Sequence, residues 1–389
     1  MLCEFYNENL EYQENLLVKY YRKYGHEVTV ITSTYESVFD YYNNIHDNKL
    51  PQKIFYDFGA KIIKLPFKFN ILGKIKKYVS IKNIVEEEKP DLLYIHDIMP
   101  NMFEMLEYKN KNKHVKMIMD YHADYSNSAN GWISLNILHK QIRKKVYLDP
   151  IKKHIERFYP IIPGSLKFLN EVYNISPSEM EILPLGADID LVTEIRNSNI
   201  RDTLRLKHNI KPTDKVIITG GKFNPARQTE IIIEAFKELN DDNLHLLIIG
   251  DADNKNQEYK NKLLNLSKNI KNIVFLGWLN NRGVYEYFAS SDLAVFPASQ
   301  SIIWQQAIAS GLPLIVGNVG EQSLEYLNEF NAIIEFSKSN INTKNFKKAI
   351  EQIVYNEDNF TVMKEACHKT TERLLDWNHL IDNTLKFNL

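Results

Sequence analysis

Two cations sit where a strand gives way to a helix. In Thr219–Phe236 (TGGKFNPARQTEIIIEAF), Lys222 follows Gly220 and Gly221, and Arg227 closes a short Asn-Pro loop ahead of an apolar-periodic helix. Glycines let a backbone come close to a ligand, and a helix N-terminus carries partial positive charge. Two cations add to that field, which is how a protein holds a diphosphate. The same residues also fit an ordinary strand–helix turn with two solvated cations, and this segment alone does not choose.

The elements around it favour the first reading. Lys215–Thr219 reads as the strand that enters the turn. Leu244–Gly250 is another apolar strand ending in glycine. A polar helix, a strand at Asn272–Trp278, a helix at Val284–Ser290 and a strand at Asp292–Pro297 follow. A helix at Ile303–Ser310, the run Gly311–Gly317 and a turn at Val319–Gly320 complete the series. Alternation at this spacing predicts an α/β fold with a parallel, doubly wound sheet, its ligands at the C-terminal strand ends. In the other half, Glu11–Tyr24 reads as a helix capped by Gly25, leading to a strand at His26–Ser33. Lys89–His96 and Val115–His122 are two more strands, each ending in a histidine. A lone histidine is more often structural than catalytic; two at strand ends are better candidates.

The ordered set resembles the large retaining glycosyltransferase family with the GT-B fold, family 4. The carrying residues are Gly221-Lys222-Phe223, Arg227-Gln228, Glu234-Ala235-Phe236, Ile248–Asp251, Phe275–Gly277, Ser291–Pro297 and Gly311–Val316. Lys222 and Arg227 keep both of the family's charges with Lys and Arg exchanged. The resemblance implies two Rossmann-like domains facing a cleft, at 1–190 (acceptor side) and 191–360 (nucleotide sugar), with 361–389 crossing back to the first. It implies catalytic roles for His122, Lys222 and Arg227. His122 would orient the donor sugar, and Gly220, Gly221, Gly277, Ser299, Gln300, Ser301 and Gln306 would hold the donor. The implied reaction moves a sugar from a UDP- or GDP-linked donor to a saccharide or polyprenyl-linked acceptor with retention, as in bacterial surface polysaccharide synthesis. A sugar-nucleotide epimerase and a non-catalytic nucleotide-sugar-binding subunit are the alternatives.

Three departures from the family pattern stand out. The first loop, Asn7–Tyr12, has no glycine where many members have two, although Glu14 matches the acid that often follows. Leu185 replaces the usual Asn in Glu181–Asp190. The family's paired glutamates are absent, with Ser299–Ser301 in place of the first and Gln306 in place of the second. An amide still donates to and accepts from ribose hydroxyls.

Composition sets the remaining bounds. The 389 residues suffice for two domains, and 44% hydrophobic content supports filled cores. A net charge of −1 argues against nucleic acid as a partner. Only Cys3 and Cys367 are present, as in a reducing cytoplasm, and they offer no disulfide framework or zinc site. Met1–Tyr6 reads as a first strand short of a residue or two, not as a signal peptide. No apolar run reaches about 18 residues. Asp251-Ala252-Asp253 has the spacing of a metal-binding triplet, but no further ligands accompany it, so metal-independent chemistry with no cofactor is expected. Between Lys61 and Lys82 there are seven lysines and no acid, and a second basic cluster spans Lys140–Arg157. These read either as solvated faces or as a dock for anionic lipid, placing the chain in the cytoplasm or on the inner face of the cell membrane.

Overall fold

The computed structural model describes residues 1–8, 10, 12–45, 51–129, 131–298, 302–319 and 323–386. Ser299, Gln300, Ser301 and Gly320, together with Asn9, Glu11 and Asn130 of the two N-terminal loops, lie outside the described residues. The chain divides into two compact units. One comprises Met1–Pro184 and Asn378–Leu389, the other Leu185–Trp377. The expected boundaries at 190 and 360 both fall inside the second unit, and the helix Glu357–Thr370 belongs there too.

In the first unit, β1 (Thr29–Ser33), β2 (Lys53–Asp57) and β3 (Ala60–Leu65) pair in the order β1-β3-β2, with β2 antiparallel. A separate hairpin joins β4 (Phe67–Ile71) and β5 (Ile75–Tyr78). Then β6 (Leu92–His96), β7 (Lys116–Tyr121) and β8 (Arg157–Pro160) form a parallel set. Leu2 bridges Ile31 of β1 and Ile95 of β6, so the expected first strand is present as a minimal link that unites the two sets. The helix Gln13–Lys23 packs an apolar face that includes Leu16, Leu17, Val18 and Tyr20, all at most 2% exposed. Each such side chain contributes about 1.5–3 kcal/mol by leaving water. The end of the chain closes this unit: Tyr21 Oη meets Thr384 Oγ1 at 2.5 Å, and Tyr159 Oη donates to the Asn383 carbonyl at 2.7 Å.

The second unit holds β9 (Lys215–Gly220), β10 (Leu244–Ile249), β11 (Ile273–Gly277), β12 (Leu293–Phe296), β13 (Leu314–Asn318) and β14 (Ile333–Ser337). They are all parallel, in the order β11-β10-β9-β12-β13-β14. Every residue of β10 is buried, as a strand covered on both faces must be. The strand order reverses between β9 and β12, and the ends of those strands are where such a sheet leaves a crevice. The polar stretch Leu191–His208 is two helices, Ile189–Arg196 and Ile200–Lys207, and Arg205 in the second is buried against Asp292 at 2.6 Å.

The two passages of chain that bound this unit are fastened to each other. Ala187 N–H donates to the Leu375 carbonyl at 2.9 Å, and the Trp377 indole N–H donates to Leu185 O at 2.9 Å. Gln305 Oε1 accepts from Gly186 N–H at 2.8 Å. Gly186 has φ +67°, and a Cβ there would lie 2.5 Å from the Trp377 indole nitrogen.

Candidate functional site

At the end of β9, Gly220 has φ +147°, and a Cβ there would lie 2.0 Å from the Ile249 carbonyl oxygen. Gly250, after β10, would place a Cβ 1.9 Å from Gly221 O. These two glycines let neighbouring loops pack backbone to backbone, with Gly221 N–H donating to Ile249 O at 2.9 Å. Gly220 is therefore required by β10. Gly221 (φ +125°) and Gly277 (φ +73°) differ: a Cβ at either meets nothing within 4 Å. They are the two donor-site glycines with open space beside them, at the ends of β9 and β11. Trp278, which follows Gly277, is 62% exposed. Sequence reasoning passed over it; its only signal is a large aromatic placed directly after a strand-ending glycine.

Lys222 is not a free cation. Its ammonium lies 2.8 Å from Asp253 Oδ2, and this pairing holds the Asp253 carboxyl down at about 2. Asp251 is paired with Lys260 at 2.6 Å. Both acids of the Asp-x-Asp triplet are thus engaged by lysines. Arg227 ends the short 3-10 turn Pro225–Arg227 and is half-buried, and that burial lowers its pKa. The helix Glu230–Leu239 does not present a bare N-terminus: Thr229 N–H donates to Tyr259 Oη at 2.9 Å, and Tyr259 in turn donates to Glu230. Charge at this turn rests on the side chains more than on the helix. Gln306, in the helix Ile302–Ala309, is buried, with Nε2 3.3 Å from Asn281 Oδ1.

His122 lies in the first unit, apart from these residues in the chain's division, directly after β7. Its backbone N–H donates to Asp97 Oδ1 at 3.0 Å. Around its ring is a cluster that sequence reasoning saw only in part. His96, at the end of β6, has Nδ1 2.9 Å from Asp120 Oδ2 and Nε2 3.0 Å from Glu14 Oε1. Tyr94 Oη donates to Asp120 Oδ2 at 2.8 Å. The two carboxylates raise the His96 pKa well above its ordinary value against the opposing effect of burial. Asp120 was missed, although it stands two residues before His122 on the same strand face and in register with His96. His122 Nε2 is 3.7 Å from Asp120 Oδ2, and the two histidine rings are 4.2 Å apart.

Among the described residues, His96, Asp120 and His122 are the group with ligand atoms close enough to share a metal, within 4.8 Å of one another. Both ring nitrogens of His96 already face carboxylate oxygens, so His96 has no lone pair to give without leaving Asp120 or Glu14. The loop after His122, Ala123–Trp132 (ADYSNSANGW), is polar and rich in small residues and reads from its composition as a source of hydroxyls and amides for a sugar or acceptor, but it offers fewer than that composition suggests. Asp124 Oδ1 accepts from Ser126 N–H, Ser126 Oγ and Asn127 N–H, so these groups bind one another. A cavity of about 580 Å³ in the first unit lies at the opposite, N-terminal ends of the strands, lined by Thr29 and Leu92 and by Glu88 of the helix Lys82–Glu88.

Comparison with known proteins agrees with this architecture. Residues 15–191 match the family model described as Glycosyltransferase Family 4, and residues 200–372 match Glycosyl transferases group 1. The lipopolysaccharide 1,2-N-acetylglucosaminetransferase of Salmonella typhimurium is 21% identical over 72% of this chain and 68% of its own length. A glycosyltransferase from Rickettsia africae superposes with a TM-score of 0.68 at 13% identity, covering 99% of this chain and 96% of the other. Anabaena Alr3699/HepE, solved with UDP, gives a TM-score of 0.66 at 14% identity over 96% and 95% of the two chains. Two family models that between them span most of the sequence, on a fold shared with solved transferases, place this chain among the GT-B glycosyltransferases of the group 1, family 4 type.

Proposed function

We propose that this glycosyltransferase moves a sugar from a nucleoside diphosphate sugar to a saccharide or lipid-linked saccharide, with retention at the anomeric carbon, in the synthesis of bacterial surface polysaccharide. The observation that carries the reading is the pair of open, left-handed glycines, Gly221 and Gly277, after β9 and at the end of β11 on the two sides of β10, with Lys222 and Arg227 in the turn that follows Gly221. Lys222 and Arg227 meet the charge that develops on the leaving diphosphate. The departing phosphate takes the acceptor proton. Gln306 serves the ribose and Trp278 offers a face for the base. His122 orients the donor sugar, and Ser299–Ser301 shape donor choice through neutral contacts.

The UDP bound by the Anabaena protein favours a uridine donor, and the lipopolysaccharide relative favours a saccharide acceptor. Metal independence is part of the proposal, because Asp251 and Asp253 are held by Lys260 and Lys222. The test is a panel of UDP- and GDP-sugars with saccharide acceptors, with and without EDTA. Free UDP released only with acceptor, unaffected by EDTA, and an axial product linkage by NMR from an axial donor support the reading. An altered sugar nucleotide means an epimerase. Binding without turnover means a non-catalytic subunit.

Docking on anionic lipid is proposed from a narrower surface than the whole basic stretch. Lys61, Lys76 and Lys82 are paired with Glu88, Glu4 and Glu107, and Lys64 is buried. The surface that remains joins the β4–β5 hairpin to the π-helical segment Ser134–Leu148, through Arg143 Nη2 donating to Lys74 O at 3.1 Å. Leu72 (90% exposed) stands on the hairpin with exposed Lys68 and Lys74, and Trp132 (71%) and Ile133 (72%) are exposed just ahead of the segment that carries Arg143. Apolar side chains among cations fit an interface with anionic lipid. Binding to phosphatidylglycerol vesicles, weakened by Leu72→Asp and by salt, supports this role of the surface. Equal partition onto phosphatidylcholine, or none onto either, removes it.

A further inference from the structure

We propose that Glu14, His96 and Asp120 form a buried positioning relay that fixes the ring of His122 for the donor sugar. The inference rests on the sugar-orienting role proposed for His122.

The geometry begins with His96. Its two ring nitrogens face two different carboxylates at 2.9 and 3.0 Å, and only an imidazolium donates from both. Glu14 reaches it from the helix Gln13–Lys23 and Asp120 from β7. Tyr94 adds a third donor to the cluster through Asp120 Oδ2. The other titratable groups nearby are Cys3, whose thiol is pushed up by burial, and Asp97, which holds the His122 backbone N–H. Glu14, His96 and Asp120 are at most 8% exposed. This is a closed set of charges, except at one end.

That end points to His122. Asp120 Oδ1 and His122 Nε2 are both buried atoms without a hydrogen-bond partner. The latter stands 3.7 Å from Asp120 Oδ2, about 1 Å beyond a good bond. Buried polar atoms left unpaired cost free energy, and catalytic hydrogen bonds are often long before the ligand arrives. A small rotation of the His122 ring brings Nε2 onto the Asp120 carboxylate. Nε2 then carries the proton and donates it to Asp120, which leaves Nδ1 as a fixed acceptor for a sugar hydroxyl. Tyr94 and His96 hold the carboxylate still, and Glu14 holds His96. No covalent step is involved; the relay selects one tautomer and one ring orientation.

The experiment is nitrogen-15 NMR of the histidine rings, with and without the UDP-sugar that supports turnover (or UDP-glucose if none does), on wild type, Asp120→Asn, Glu14→Gln and His96→Gln. The expected result is a doubly protonated His96 at pH 7 and a His122 whose Nε2–H form dominates when the donor is bound. Asp120→Asn removes that preference. In the same variants kcat falls about 10- to 100-fold while the KM for donor and the affinity for UDP change less than about threefold. Glu14→Gln gives the milder loss and serves if Asp120→Asn does not fold. An unchanged His122 tautomer in every folded variant overturns the relay. So does a neutral His96, or stoichiometric zinc or manganese that His122→Ala releases. If wild type transfers no sugar to any acceptor, the functional reading fails, yet the tautomer measurement still decides the relay.

Discussion

Gly220 and Gly277 are indistinguishable by residue type, yet they do different things. Gly220 is held against the Ile249 carbonyl, where a Cβ would sit 2.0 Å away, while Gly277 borders open space. Gly220→Ala should therefore force backbone apart and cost several kcal/mol of stability in the second unit. Gly277→Ala should cost only the left-handed backbone penalty, about 1–2 kcal/mol, and weaken UDP binding besides. Thermal melts and UDP titrations of both variants check this; equal losses of stability would contradict it. Lys222 teaches a related lesson. The sequence shows the cation, but its partner Asp253 follows another strand and comes near only because β9 and β10 are neighbours. Freeing Lys222 should help an incoming diphosphate, so Asp253→Asn is expected to tighten UDP binding several-fold. Arg227→Ala should lower turnover more than tenfold, a loss of about 1.4 kcal/mol or more; steady-state rates measure it.

At the scale of elements, strands and helices were legible where apolar spacing is strict, as in β9, β10 and β13. What stayed hidden was which polar residues turn inward. Arg205 reads as a solvated helix cation, but it is buried and donates to the Ser290 and Asp214 carbonyls as well as to Asp292. The loop after His122 reads as a donor of hydroxyls, but it folds onto Asp124. Two histidines of the first unit show the same point with opposite signs. His96 is raised by its carboxylates, so its contribution is fully present below the unfolded value of 6.5 and is lost as pH rises through the raised folded value. His139, in the π-helical segment, is fully buried beside Tyr173, and burial lowers it to about 4. The unfolded chain then binds the extra proton below 6.5, so His139 destabilises as pH falls from 6.5 towards about 4. The stability advantage of wild type over His96→Gln should shrink with rising pH. The acid-side loss of wild type should be absent from His139→Asn. Each slope approaches about 1.4 kcal/mol per pH unit for one proton, and denaturant midpoints across pH read it.

For the whole molecule, the two-unit plan was legible from the double series of alternating elements, but the boundaries were not. They are set by Leu185–Ala187 meeting Leu375–Trp377, a pairing across nearly the full second unit that no local pattern carries. Because those passages adjoin, residues 185–377 should fold when expressed alone, melt cooperatively and bind UDP. A fragment that is unfolded by circular dichroism would contradict this. The same fastening has a consequence for synthesis. The second unit is an uninterrupted stretch and is complete before the chain ends, whereas the first must wait for Asn378–Leu389. At about 5–20 residues per second, the ribosome spends on the order of 10–40 s making the intervening stretch. Through that interval Tyr21 and Tyr159 lack Thr384 and Asn383, the partners that later cover them. The nascent first unit is therefore the part of this chain that a chaperone waiting at the ribosome would meet.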